Sequence, residues 1–272
     1  MLTPMNRSAL LTRLACVATA GSLAFAATAD AKPTLKLGKA KVVRGAKYIT
    51  DDALLDTVAP QPADTGRGGI TDVNGLRVTG CQDTPGGPEK GWAGRRVDAG
   101  AGLALEVTTV EDDQTSKRGW PGGHCGFKIV DAADKSKYAV LPLAGVPPFT
   151  SPTAILRDGD RIYLNLNFNG YAKEIPQGGN FVLAFDMVSH DEVWRTGKST
   201  SNAAMMLYGD VLITGYGFTK EKAALHVIDT ATGKIIQKVA LPKSPSELRR
   251  KDDKLFVRIY DGYAVLPITG AK

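Results

Sequence analysis

The sequence predicts an all-β chain built from repeated antiparallel sheets, and three observations predict it. The first is a recurring unit in which an apolar run reaches an Asp, a polar turn follows, and an apolar run returns. It reads Phe127-Lys128-Ile129-Val130-Asp131 with a return at Tyr138, then Phe181-Val182-Leu183-Ala184-Phe185-Asp186 with a return at Glu192-Val193-Trp194. The third copy is Leu225-His226-Val227-Ile228-Asp229, with Thr232-Gly233-Lys234 in the turn and Ile235-Ile236 returning. The second observation is a polar turn feeding a strand ahead of the later units: Gly159-Asp160 before Arg161, Gly209-Asp210 before Val211, and Asp252-Asp253 before Lys254. Gly and Asp tolerate the tight backbone such turns need. The third is the scarcity of helical periodicity against frequent β-branched, alternating runs.

The elements follow in order. Residues 1–31 read as a signal peptide: Arg7 and Arg13 supply the positive start, a small-apolar run follows, and Ala29-Asp30-Ala31 fits a small-x-small cleavage pattern. The run is short and weak for a bilayer span of about 20 apolar residues. No later segment is apolar enough to cross, so the mature chain is expected without a transmembrane segment, periplasmic or secreted. Residues 32–272 form a single domain of roughly 240 residues, a common size for one β-rich domain.

Within it, Thr34-Leu35-Lys36-Leu37 and Ala40-Lys41-Val42-Val43 read as short edge strands with Lys facing water. Residues 61–69 and 84–94 are Pro/Gly-rich loops with a strand at 75–79 between them. Residues 103–110 are a strand and 111–123 a polar excursion. Residues 167–180 form a long polar loop between two repeat units. Ser244-Pro245-Ser246-Glu247 has capping-box spacing with Pro at the first helical position, which predicts one helical turn. Residues 51–55 are a weaker helical candidate. The following Leu248-Arg249-Arg250-Lys251 reads as a solvated connection, and Asp261-Gly262 as a two-residue hairpin tip.

The turn Asp residues lie 55 and 43 residues apart. A unit of that length suits a four-stranded blade, and such a blade cannot bury both faces alone. Radial stacking buries them and leaves only short edges. The expected architecture is a β-propeller of about five four-stranded antiparallel blades. The N-terminal region supplies what the three clear units do not, including a strand that closes against the last unit.

Ala184-Phe185-Asp186-Met187-Val188-Ser189-His190-Asp191-Glu192-Val193-Trp194 resembles the docking repeat of quinoprotein-type (PQQ-like) β-propellers, Ala-x-Asp-x-x-Thr-Gly-Lys-x-x-Trp. Ala184, Asp186 and Trp194 match, Ser189 stands for Thr, and His190-Asp191 depart from Gly-Lys. The third unit keeps Asp229, Thr232, Gly233 and Lys234 but has Gln237 in the Trp place, and the first keeps little beyond Asp131. The resemblance covers about residues 125–270. It implies that Asp131, Asp186, Ser189, Trp194, Asp229, Thr232 and Gly233 are blade-turn and docking residues. Enzymes of that family carry a quinone within eight blades, often with adjacent cysteines and calcium. This chain is too short for eight blades and has no adjacent Cys pair, so no cofactor is expected.

Of three cysteines, Cys16 lies in the signal segment. Cys81 and Cys125 are an even pair in an exported chain and read first as a disulfide, worth about 3–4 kcal/mol by loop closure. His124 beside Cys125 suggests a metal, but no second local ligand stands at metal spacing. His226 reads as a packed or surface strand residue and His190 as a solvated turn residue. No catalytic constellation is recognisable: there is no Gly-x-Ser-x-Gly elbow and no Gly-x-x-x-x-Gly-Lys loop. Trp120 and His124, in a Gly/Pro loop, are candidate rim-binding residues, and Trp92 is a similar case. The net charge of +6 is interspersed, which does not point to nucleic acid. The expected function is a non-enzymatic binding or scaffold module of the cell envelope, its partner an envelope protein or surface ligand. The alternative is an oxidoreductase or hydrolase with its site in the funnel or on the loops at 111–124 and 167–180.

Overall fold

The computed structural model describes residues 33–44, 67–68, 96–100, 102–109, 125–142, 150–168, 179–218 and 221–270. Every regular element among them is a strand. The first strands among the described residues are β1 (Lys36–Leu37) and β2 (Lys41–Arg44), followed by β3 (Arg67–Gly68). The first sheet is β4 (Arg96–Gly100), β5 (Leu103–Thr109), β6 (Cys125–Asp131) and β7 (Tyr138–Pro142). The second is β8 (Thr150–Asp158), β9 (Arg161–Phe168), β10 (Phe181–Asp186) and β11 (Glu192–Arg195), with β3 added to the free side of β8. The third is β12 (Met205–Tyr208), β13 (Val211–Tyr216), β14 (Ala223–Asp229) and β15 (Ile235–Leu241). The fourth joins β16 (Pro245–Lys251), β17 (Lys254–Ile259) and β18 (Gly262–Thr269) to β1 and β2, both antiparallel to β18. The first three are sequential four-stranded antiparallel meanders.

Side chains alternate across each pleated strand, so each sheet faces both ways. In β10, Phe181, Leu183 and Phe185 pack toward the first sheet, against Leu105, Phe127, Ile129 and Leu141. The intervening Val182 and Ala184 pack toward the third, with Trp194, Leu212 and Ile228. The third sheet then turns Val211, Ile213, Leu225 and Val227 toward Leu248, Leu255, Val257 and Leu266 of the fourth. Strands apolar on both faces are what a sheet sandwiched between two others requires. The arrangement is propeller-like: an all-β stack of blade-like sheets, of which four are described. Of the N-terminal region expected to supply a further blade, the described strands β1 to β4 join the fourth, second and first sheets.

Several expectations are corrected: Arg67–Gly68, read within a loop, form β3, and residues 167–168, read as the start of a polar loop, end β9. Residues 245–251 are strand β16, not a helical turn followed by a solvated link. Leu248 points into the core, and Arg250 lies over the Tyr208 ring of the third sheet, 4.0 Å from its centroid. On the other face Arg249, 6% exposed, pairs with Glu247 at 2.6 Å. The two-residue alternation of a strand therefore overrides the capping-box spacing. The last hairpin tip is also displaced by one residue: Ile259 pairs with Gly262, so the tip is Tyr260-Asp261.

Candidate functional site

The repeat Asp residues organise the turns between the third and fourth strands of each sheet. Asp186 Oδ1 accepts from the amides of Val188 and Ser189, Asp229 Oδ1 from Ala231, and Asp131 Oδ1 from Ala133 and Asp134. Ser189 and Thr232 hold the same place, each hydroxyl accepting a backbone amide at 3.4 Å, from Asp191 and Lys234. Gly233 has φ +71, and His190 holds the equivalent place with φ +66. The first turn is one residue longer, closing from the Asp131 amide to the Lys137 carbonyl.

These turns are also where one sheet grips the next. Trp194, 8% exposed, donates from Nε1 to the Thr230 carbonyl of the third sheet at 2.8 Å. Its ring lies so close over Gly233 that a Cβ there would meet it at 2.6 Å. One sheet earlier, Tyr138 stacks on His190 with centroids 3.7 Å apart, and His190 Nδ1 meets the Tyr138 carbonyl at 2.8 Å. His190 is thus engaged by the neighbouring sheet, not simply solvated. One sheet later, Gln237 clasps the backbone of Leu37: Nε2 donates to its carbonyl and Oε1 accepts its amide.

Asp131 adds an ion pair to the seam between the first and second sheets, 2.5 Å from Arg157 of the second. That guanidinium first, then the amides of Ala133 and Asp134, hold its carboxyl down to about 2. Asp186 is lowered chiefly by the Ser189 amide. His226 is buried, with Nδ1 2.7 Å from the Thr200 carbonyl, and burial lowers its pKa. All these groups are structural in their surroundings.

A different feature has the geometry of a binding site. A cleft of about 310 Å³ opens where the first strands of the second, third and fourth sheets converge. Thr153, Ala154, Ile155, Leu156 and Asn167 line it from the second sheet, Asn202 to Met205 from the approach to the third, and Ser246 from the fourth. The volume is at the lower end of the range for small-ligand sites. Three of its walls come from one repeated text: Ser151-Pro152-Thr153, Ser201-Asn202-Ala203 and Ser244-Pro245-Ser246, each Ser nine residues before the turn Asp at 160, 210 or 253.

Local structure aims these residues. The β8–β9 register slips between Pro152 and Ala154, and the β16–β17 register slips between Pro245 and Glu247. Thr153 and Ser246 are therefore the extra residues of two matching bulges. A bulge interrupts the ladder and redirects its side chain. Proline is tolerated at such places because a bulge or a strand edge needs no amide from it. Pro245 is seated by Gly215, where a Cβ would meet the proline ring at 2.3 Å. Asn202 is fixed by two bonds to Gly217, donating to its carbonyl at 2.9 Å and accepting its amide at 3.0 Å.

Around this cleft lie three polar atoms, buried and without hydrogen-bond partners among the described residues: Thr153 Oγ1, Asn167 Oδ1 and Asn165 Oδ1. Asn165 is fully buried and spends its amide on the Ala203 carbonyl at 2.8 Å. Buried polar atoms are almost always paired, so such a cluster marks a place built for something else to complete.

The sequence reading did not reach these residues. The signal available was the Ser-Pro-Thr/Ser text at constant distance from the Gly/Asp turn. Of the expected site residues, the turn and docking set Asp131, Asp186, Ser189, Trp194, Asp229, Thr232 and Gly233 sits at the sheet seams. Trp92, Trp120, His124 and Cys81 lie outside the described residues, as do the loop at 111–124 and the middle of the loop expected at 167–180, whose first two residues end β9 instead. Cys125 is the first residue of β6. Among the described residues no group of three or more His, Cys, Asp or Glu is placed to hold a metal, and no helix is long and apolar enough to cross a membrane.

No protein-family model matches the chain, and no curated protein matches it. Solved structures do. One is BamB from Moraxella catarrhalis, 12% identical over 53% of this chain and 38% of that one, with a TM-score of 0.37. Another is a europium-containing methanol dehydrogenase, 12% identical over 56% of this chain and 25% of that one, TM-score 0.32. A third is Sqt1 from Saccharomyces cerevisiae, 12% identical over 60% of this chain and 44% of that one, TM-score 0.35. The chain thus spans less than half the length of each of these structures.

Proposed function

We propose that this protein is an exported, non-enzymatic binding module of the cell envelope, and that the cleft between its converging first strands is where it takes its partner. One observation carries the reading: three consecutive sheets converge on the cleft, and its lining offers hydrogen bonds without charge through Thr153, Asn167 and Ser246. Such groups recognise and orient, and they supply neither a nucleophile–base pair nor a charge for a developing transition state. Export rests on residues 1–31, and the envelope address on that segment with the Cys81–Cys125 pair. Membership of the quinoprotein-type propellers rests on the text from Ala184 to Trp194. On this reading the turn and docking residues build the scaffold and do not touch the partner.

The test is site-specific photo-crosslinking in the envelope. A photoreactive residue at Ser246, exposed at the cleft, is expected to capture one defined protein. The same residue at Val188, 59% exposed on a turn far along the second sheet, is expected to capture none. Hydrolase or dye-linked oxidoreductase turnover by the purified chain that disappears in Asn167→Leu would overturn the reading.

A further inference from the structure

The geometry points to a short, uncharged peptide segment in extended conformation as the ligand of this cleft, its N–H groups donated to Thr153 Oγ1 and Asn167 Oδ1. The assignment rests on the binding-module reading and sharpens it to a ligand class.

Three features converge on main-chain recognition. The first is the sign of the unmet demand. Among the described residues the orphaned atoms that line the cleft are Asn167 Oδ1, a carboxamide oxygen that can only accept, and Thr153 Oγ1, a hydroxyl able to; Asn165 Oδ1 is not part of the lining. The ligand must therefore bring donors. The second is neutrality: Thr153, Asn167, Asn202 and Ser246 carry no charge, and a charged ligand group left there would lose its hydration without a counter-ion. The third is that one wall already pairs with a peptide strand. β3 lies antiparallel on β8, with Arg67 opposite Leu156 and Gly68 opposite Ile155, and both Leu156 and Ile155 line the cleft. The bulge at Thr153 adjoins that pairing and leaves its own residue out of the β8–β9 ladder.

An extended peptide suits this surface. Its N–H groups on one side recur every second residue, about 6.6–6.8 Å apart, and strand addition to an exposed edge is a general mode of peptide capture. Ala154, Ala203, Ala204 and Met205 then furnish apolar contact for small side chains on the alternate face. A saccharide also donates hydroxyl protons, but lacks the regular two-residue repeat of N–H groups that an extended strand presents.

The experiment titrates the full chain with a set of acetylated, amidated tetrapeptides lacking charged residues, followed by isothermal titration calorimetry and by amide NMR shifts. Binding is expected, with shifts concentrated at 153–156 and 202–205. Thr153→Val and Asn167→Leu each remove one acceptor and are expected to weaken binding about tenfold. Neither is expected to lower the melting temperature, since each deletes a buried unmet polar atom. Asn167→Asp keeps acceptor oxygens, so it is expected to retain binding and to gain affinity for tetrapeptides carrying one Lys. The inference is overturned if the tetrapeptides leave those amides unmoved, if Thr153→Val and Asn167→Leu both bind as the parent does, or if maltose binds there and the peptides do not. Its failure is separable from that of the function. A partner crosslinked from Ser246 with no tetrapeptide binding removes the ligand class alone. Tetrapeptide binding without a crosslinked partner removes the envelope module and leaves the ligand class.

Discussion

Asp131 and His226 respond to acid through different physics. Asp131 is ionised, paired with Arg157 and bonded by two amides, so its folded pKa of about 2 lies below that of the unfolded chain, near 3.9. The unfolded chain binds the proton more readily, so the stability this group provides is complete above about pH 4 and disappears as pH falls toward 2. Asp131→Asn is expected to flatten the stability curve in that window, read as urea midpoints between pH 5 and pH 2. His226 is held neutral by burial, with Lys238 opposing its charge. Its folded pKa also lies below the unfolded value, near 6.5 for His, so stability is complete above that pH and declines as pH falls below it. His226→Asn keeps a donor toward the Thr200 carbonyl but no titrating ring. Its midpoint is expected not to change between pH 7 and pH 5, while that of the parent falls.

Strands differ in how plainly they announce themselves, and the reason is pairing. β9, β10, β13 and β14 are bonded on both sides and packed on both faces, so they appear as near-continuous apolar runs. β8, β12 and β16 are the first strands of the second, third and fourth meanders, and their text does not announce a strand. β8 contains Pro152, β12 is four residues long, and β16 reads Glu-Leu-Arg-Arg. A strand at a sheet edge, as β12 and β16 are, can accept brevity and charge, because one side of its backbone need not be paired, while β8, paired with β3 at Ile155 and Leu156, carries its proline at a bulge. The cleft was invisible for the same reason, since its walls are those strands. The seams were more legible, because Trp at a fixed distance from a turn Asp is a distinctive text. Trp194→Ala is expected to cost about 3–5 kcal/mol in chemical unfolding, as for a large buried ring. Gly233→Ala adds a left-handed penalty of roughly 1–2 kcal/mol and drives a methyl into the same indole. Combined, the two substitutions are expected to cost less than their sum, because both break one contact. Additive losses would separate Gly233 from the docking of Trp194.

At the scale of the whole molecule, the chain ties its beginning to its end. β1 and β2 complete the fourth sheet by pairing with β18, and Gln237 of the third sheet holds Leu37 of β1 with two bonds. Where two earlier seams use an aromatic ring, this one uses a carboxamide, which fits because it must bind a backbone amide and carbonyl together. Gln237→Leu is expected to release about 1–2 kcal/mol of local stability at β1. In hydrogen exchange the Leu37 amide should lose protection while amides of β9 and β10 keep theirs. Equal loss everywhere would mean that β1 unfolds only with the whole domain.

The sequence alone determined the all-β class, the repeated Asp turns and the alternation that makes each sheet two-faced, because those depend on neighbours one to eight residues away. It also placed β1 and β2 as edge strands. Only the tertiary structure decided that Thr153, Asn167, Asn202 and Ser246 surround one cleft. Those residues are up to 93 positions apart in the chain, and the bulges and unmet acceptors that single them out exist only once three sheets have been brought together.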